Sequence, residues 1–277
     1  MTFYQPVLVF VVYYISIICL IAVALPMVSH WFFIQSLRKA KTKIPILVLL
    51  KSFGREIFCI FMAAFLKPFK NKALKASAHA LKSKKPVIIL VHGYLHNQTA
   101  WYWFKRQLEK ADIGPVYTVN LTPFYAPIEQ LATCIEAKIR SLQDSIATEN
   151  LILIGHSMGG LVSSYYAENV TPHKIGLVIT LASPLQGTLL ANLGFGKCVK
   201  QMQLNAPFTK NLLKKIVNST IPYLHIASKL DNIIVPWENA MPPLAHHNTY
   251  VVDDLGHLSF LISPKIIQIV LQHLAKI

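Results

Sequence analysis

Leu151-Ile152-Leu153-Ile154-Gly155-His156-Ser157-Met158-Gly159-Gly160 is the stretch on which the reading of this chain turns. Leu151 to Ile154 predict a short strand buried on both faces. Met158 to Glu168 predict a helix, despite the paired glycines. Between the two lies G-x-S-x-G. A serine that must present its hydroxyl above a sheet edge needs a sharp turn and a strained backbone. Gly155 and Gly159 leave room for strand and helix to pass close together. The same turn brings the Met158 amide to a helix N-terminus, where it can donate to an oxyanion. The five-residue motif alone arises by chance in many chains, and a glycine turn with an incidental serine is the alternative. Its place between a strand and a helix is what makes it specific.

Working outward, strands and helices alternate. Val87 to Val91 is a continuous apolar run after Pro86. Gln98 to Lys110 has a helical pattern, Val116 to Leu121 reads as a strand, and Ile128 to Ile146 as a helix. Further strands are predicted at Ile175 to Leu181, Pro222 to Ala227 and Thr249 to Val252. A closing helix runs from Ile262 or Pro264 to Ile277. Apolar strands alternating with helices argue for an α/β fold whose mostly parallel sheet is covered on both faces. Residues 185–220 break the rhythm with Leu and Phe but no strand alternation. They predict a short helical cap excursion over one end of the sheet.

A serine is a weak nucleophile until a base takes its proton, and after a turn of this kind the acid and then the base follow in chain order. His257, after Gly256 in the loop between the last strand and the last helix, is the candidate base. His246 and His247 precede that strand and would sit at its wrong end, and His273 lies within a helix. Asp231 follows the strand ending near Ala227 and can fix the imidazole tautomer. Asp253, Asp254 and Glu238 are its rivals. Asp253 and Asp254 are too near His257 in the same loop, and Glu238 lies beyond Pro236. The second oxyanion donor is sought in the loop after the first strand, where Gly93 permits a tight turn and the Tyr94 amide is the candidate. His92 is read as a loop support and His156 as packing.

Charge divides the chain. Its 27 basic and 12 acidic residues give +15, but residues 31–86 hold 13 of the basic residues and one acid, Glu56. From residue 87 onward the net charge is only +3, which argues against a nucleic-acid-binding domain. Cys19, Cys59, Cys134 and Cys198 form no metal-ligand spacing, and no metal or cofactor is implied. Val7 to Val28 carries no charge over 22 residues. As a helix it would be about 33 Å long, enough for a bilayer core. A cleaved signal peptide is disfavoured because MTFYQP has no basic residue and the run is long for one. The second apolar stretch, 44–69, is interrupted by Lys51, Arg55 and Glu56, charges expensive in lipid. It reads as an interfacial helix or as one packed on the folded domain. Basic residues flank it on both sides and would favour anionic headgroups. The expected organisation is a transmembrane anchor at 1–30, a basic amphipathic membrane-proximal segment at 31–85 and a catalytic domain at 86–277. The expected location is a bacterial inner membrane, crossed once.

The catalytic part resembles the α/β-hydrolase superfamily, more narrowly the bacterial triacylglycerol lipase and esterase group. The resemblance rests on His92-Gly93-Tyr94-Leu95 with Asn97 and Trp101, Asn120-Leu121 with Pro123, and Gly155 to Gly160. It continues through Ala182-Ser183-Pro184 with Gly187-Thr188, Gln201-Met202, Asp231-Asn232 with Val235-Pro236, and Gly256-His257. It covers residues 86–275 and not the N-terminal third. It implies an α/β-hydrolase fold, with Ser157 as nucleophile, Asp231 as acid, His257 as base and the Tyr94 and Met158 amides as oxyanion donors. The implied activity is carboxylic ester hydrolysis through an acyl-serine, with lipid esters, cleaved in the manner of a triacylglycerol lipase or a phospholipase, favoured by the anchor. Small-molecule esterase or thioesterase activity is the alternative, and a non-catalytic tethered scaffold is a third reading. One departure is visible: Leu185 and Gln186 stand where this group often has histidines.

Overall fold

The computed structural model describes residues 4–39, 44–66, 85–142, 150–243 and 248–276. Six strands form one sheet: β1 Val87–Val91, β2 Val116–Val119, β3 Leu151–His156, β4 Ile175–Leu181, β5 Tyr223–Ser228 and β6 Asn248–Val252. Their spatial order is β2-β1-β3-β4-β5-β6, and every neighbouring pair is parallel. Parallel strands need a crossover between them, and helices supply it: α3 Tyr102–Lys110, α4 Ile128–Arg140, α5 Met158–Asn169 and, after the last strand, α8 Pro264–Leu274.

The pleat sorts each strand into two cores. Val87, Ile89 and Val91 of β1 join Leu151 and Leu153 of β3 beneath Leu131 and Ile135 of α4 and Leu161 of α5. Ile88 and Leu90, with Ile152 and Ile154, face the other way, onto Phe104 and Leu108 of α3 and Val270 and Leu274 of α8. This double burial is why β1 and β3 are apolar throughout rather than alternating. The excursion after β4 folds as a 3-10 turn at Leu189–Leu193, α6 Lys197–Gln201 and α7 Pro207–Val217. Gln201 anchors it over the start of α4. Its Oε1 accepts from the Ile128 amide at 2.8 Å, and its Nε2 donates to Glu129 at 2.6 Å.

The N-terminal third corrects the sequence reading. Among the described residues, no helix is long and apolar enough to cross a membrane. The membrane helix, the single-pass location and the membrane partnership are therefore overturned. The first helix, α1, runs Tyr4–Lys39, and α2 runs Ile46–Leu66. The far half of α1 is committed to protein contacts: Ser29, His30 and Phe33 are buried. Phe33 shares a small core with Leu230 and Val235, and the His30 ring meets Phe53 of α2 edge-on at 5.0 Å. Counting uncharged residues cannot separate a span from a long helix whose later turns dock on a domain. Of the two readings of the second apolar stretch, its described part, 44–66, takes packing on the folded domain. The buried residues of α2 are Ser52, Glu56 and Cys59. Several of its large apolar side chains, among them Leu47, Leu50 and Phe58, are exposed, while Val48 and Leu49 are part-buried against the small core that holds Phe33. Most of the basic run lies at 67–84, outside the described residues.

Candidate active site

Ser157 ends the strand side of the corner with φ 55° and ψ −128°, a region that non-glycine residues occupy only under constraint. The constraint is local packing. The Ser157 amide donates to the Leu181 carbonyl at 2.8 Å, and its own carbonyl accepts from Gly160 at 3.0 Å. A Cβ on Gly155 would stand 2.3 Å from the Gly159 carbonyl oxygen, and one on Gly159 would stand 2.1 Å from that of Val91. Both glycines are thus fixed by backbone passing backbone. Met158 opens α5, so its amide is one of the first four that lack an acceptor within the helix. The loop after β1 closes on the same point, since the Cβ position of Gly93 lies 2.9 Å from the Ser157 Cβ. Tyr94 follows. Its hydroxyl donates to the Phe195 carbonyl at 2.8 Å, tying this loop to the excursion, and its ring packs near Phe124 and Phe195.

Asp231 and His257 are both buried. The imidazole Nδ1 lies 2.9 Å from Asp231 Oδ2 and 3.1 Å from Oδ1. Oδ1 also accepts from the Ile233 and Ile234 amides, each at 2.8 Å. The carboxylate is therefore held from both sides. An imidazole that donates from Nδ1 to this carboxylate leaves Nε2 unprotonated, the form a general base requires. The next loop braces the carboxylate in turn: the Thr188 hydroxyl donates to the Ile233 carbonyl at 2.6 Å and accepts from the Val235 amide at 3.0 Å. Gln186, where a histidine is common in the similar group, donates to the Met241 carbonyl at 2.9 Å.

His257 lies against the residue preceding the serine, with the His156 and His257 rings 4.6 Å apart. His156 Nε2 is 3.1 Å from the His257 carbonyl, which can only accept, so this nitrogen carries the proton. Burial, followed by the nearby His257, drives the His156 pKa well below the usual imidazole range. His156 is thus a neutral brace for the candidate base, a role the packing assignment did not contain. His92 supports its loop, as its position suggests. Its Nε2 accepts from the Leu121 amide at 3.0 Å and its Nδ1 donates to the Gly93 carbonyl at 2.8 Å. Burial pushes its pKa down to about 4.

The rivals lie elsewhere. His273 sits on α8 beside the Tyr250 ring, Asp254 accepts from Lys265 at 3.0 Å, and Glu238 belongs to a 3-10 turn at Trp237–Ala240. His246 and His247 lie outside the described residues. Among the described residues, no three His, Cys, Asp or Glu side chains are grouped to hold a metal ion. Two contacts to the His257 loop have no counterpart in the sequence reading. The Asn232 side chain accepts from the His257 amide at 3.1 Å, and Glu56 of α2 accepts from the Leu258 amide at 2.9 Å. The isolated acid among 13 basic residues was the available signal for Glu56.

Residues 126–253 match the family described as PGAP1-like alpha/beta domain. The chain is 32% identical over 123 residues to putative methylesterase 12, chloroplastic, of Arabidopsis thaliana, covering 42% of this chain and 34% of that one. It is 26% identical over 174 residues to putative esterase/lipase 3 of Mycoplasma genitalium, covering 58% and 56%. It thus spans between about a third and just over half of the length of these relatives. Among solved structures, the mature Bacillus licheniformis lipase BlEst2 aligns with a TM-score of 0.58 at 19% identity, over 69% of this chain and 92% of that one. Aspergillus fumigatus lipase B aligns with a TM-score of 0.61 at 19% identity, over 73% and 56%. With six parallel strands in this order, helices on both faces and a serine on the corner after the third strand, the chain has an α/β-hydrolase-superfamily fold of the esterase and lipase type.

Proposed function

We propose that this protein is a serine hydrolase that cleaves carboxylic esters through an acyl-serine intermediate. The observation that carries the reading is the left-handed backbone of Ser157, at φ 55° between β3 and α5. Nothing in strand or helix formation asks for a serine in that conformation, and a displayed nucleophile does. The buried His257–Asp231 pair supplies what such a nucleophile needs. His257 Nε2 takes the hydroxyl proton as Ser157 Oγ attacks the ester carbonyl. Asp231 steadies the imidazolium that forms. The Tyr94 and Met158 amides hold the tetrahedral oxyanion, each donor contributing about 3 kcal/mol to the transition state. His257 then returns the proton to the departing alcohol. Water enters, gives a proton to the same nitrogen and releases the acid, and the serine is restored.

Lipid esters are the favoured substrates. The support is an apolar rim beside the loop that bears Tyr94: Phe124 lies 5.6 Å from Phe195, ring to ring, and Phe195, Leu193, Leu95 and Tyr125 are exposed. Relatives named as lipases and esterases point the same way. Short esters are the second reading, favoured by the relatives named methylesterases. The test has two parts. A fluorophosphonate probe is expected to label the wild-type chain and not Ser157→Ala; labelling of both, or of neither, would overturn the hydrolase reading. A panel of p-nitrophenyl esters from acetate to palmitate then separates the substrates. A preference for acetate, with no gain above the critical micelle concentration of the long esters, would overturn the lipid reading.

A further inference from the structure

Glu56 is 1% exposed, on a helix whose other charged residues face outward. Its carboxylate is spent on the turn that follows His257. Oε2 accepts from the Leu258 amide at 2.9 Å. Oε1 accepts from the Ser259 amide at 2.9 Å and from the Ser259 hydroxyl at 2.7 Å. Leu258 and Ser259 open a 3-10 turn, Leu258–Leu261, whose first amides have no acceptor of their own. On the other side of the histidine, a Cβ on Gly256 would stand 2.6 Å from the Glu56 carboxyl carbon. The absence of a side chain at 256 and the carboxylate at 56 are fitted to one another. A separate contact reaches the same loop from α1. The Ser29 hydroxyl accepts from Asn232 Nδ2 at 2.7 Å, and Asn232 Oδ1 accepts from the His257 amide. Both helices lie outside residues 126–253, the part matched by the family. Burial pushes the Glu56 carboxyl pKa up, against the pull of its three donors and of His257. So costly a group is kept only where its hydrogen bonds matter.

We propose that Glu56 is a positioning residue for His257, and that the α1–α2 helix pair is a working part of the hydrolase site rather than an appendage to it. The inference rests on the ester-hydrolase reading. Glu56 touches no reacting atom. It fixes the backbone on the C-terminal side of the base, as Asn232 and Ser29 fix it on the N-terminal side.

The test measures phosphonylation of Ser157 by a fluorophosphonate, together with kcat and KM for an activated ester, on the full chain. Glu56→Ala should slow both phosphonylation and kcat about 10²-fold, the effect of an ångström of misplacement, with KM little changed. Glu56→Gln keeps one acceptor oxygen for Ser259 but turns an amide N–H toward that of Leu258, and should fall between. Its low-field His257 Nδ1–H resonance should broaden or move. Ile135→Ala, a cavity in the core beneath α4, supplies a destabilised control expected to keep its rate within about twofold below its melting temperature. Glu56→Ala at the wild-type rate, or slowed no more than Ile135→Ala, overturns the proposal. If Glu56→Ala does not fold, Glu56→Gln decides, and a wild-type rate with an unmoved resonance overturns it. A wild-type chain that is not labelled at Ser157 would instead overturn the hydrolase reading itself.

Discussion

Asp231→Asn probes the tautomer argument most directly, because the structure dictates which way the new amide must face. Oδ1 accepts from two backbone amides, at Ile233 and Ile234. An amide nitrogen placed there would point two hydrogens at two donors. The Asn oxygen must therefore take the Oδ1 position, and its NH₂ takes that of Oδ2, 2.9 Å from His257 Nδ1. A donor now faces the nitrogen that had donated. The imidazole answers by carrying its proton on Nε2 and accepting at Nδ1. The nitrogen left for Ser157 is then protonated and cannot act as a base. Returning to the active tautomer would leave two buried donors face to face, each costing about 1–3 kcal/mol. At 1.36 kcal/mol per tenfold, the active form becomes about 30- to 25,000-fold rarer, and the lost carboxylate charge slows the step further. Burst-phase acylation by a p-nitrophenyl ester should fall by 10³-fold or more, while KM and the melting temperature change little because shape and backbone contacts persist. A burst within tenfold of wild type would refute the reasoning, and with it the assignment of Asp231 as the orienting acid.

Gly159→Ala should hurt stability and rate together. Its Cβ would lie 2.1 Å from the Val91 carbonyl oxygen and 2.6 Å from that of His92, so backbone must move at an expected cost of about 1–3 kcal/mol. Thermal melting should fall by several degrees and acylation at least tenfold; an unchanged burst rate would count against the tight corner. For His92, burial lowers the folded pKa from 6.5 to about 4, so in that window the unfolded chain binds the proton and the folded chain does not. Stability is full above pH 6.5 and falls as pH drops toward 4, by up to about 3 kcal/mol. Urea titrations across that range should show a flatter profile for His92→Gln than for the wild type, and parallel profiles would contradict the assignment.

The sheet was legible because its strands are buried on both faces. Val87–Val91 and Ile175–Leu181 begin and end where the apolar runs do, since nothing but burial sets their composition. The corner at Ser157 was legible because chain order, strand, glycines and helix constrain one another. So was the pairing of Asp231 with His257, whose loops follow the ends of adjacent strands β5 and β6. The brace from His156 was not legible. It depends on the Nε2 hydrogen bond to the His257 carbonyl, a contact across 101 residues that no local pattern encodes. The helical excursion could be bounded but not resolved, because the Thr188 hydroxyl and the Gln201 Oε1 work through backbone partners that any sequence offers, and the Gln201–Glu129 bond spans 72 residues.

The N-terminal helices show why apolarity misleads when it is read without the partner surface. A helix pattern assigns the apolar stripe to the interior by default. In α2 the buried positions are Ser52, Glu56 and Cys59, spaced four and three residues apart on one face. At the centre of that face Glu56 meets the start of a 3-10 turn, whose Leu258 and Ser259 amides offer N–H donors rather than methyl groups. A carboxylate is the complement such a surface demands, since those two amides would otherwise be buried without an acceptor. The same logic explains Ser29, placed in an apolar helix opposite the Asn232 side chain. The three interruptions that spoke against a lipid span at 44–69 thus separate into two kinds. Lys51 and Arg55 are exposed, whereas Glu56 is turned inward because the turn after His257 supplies three donors to a single carboxylate.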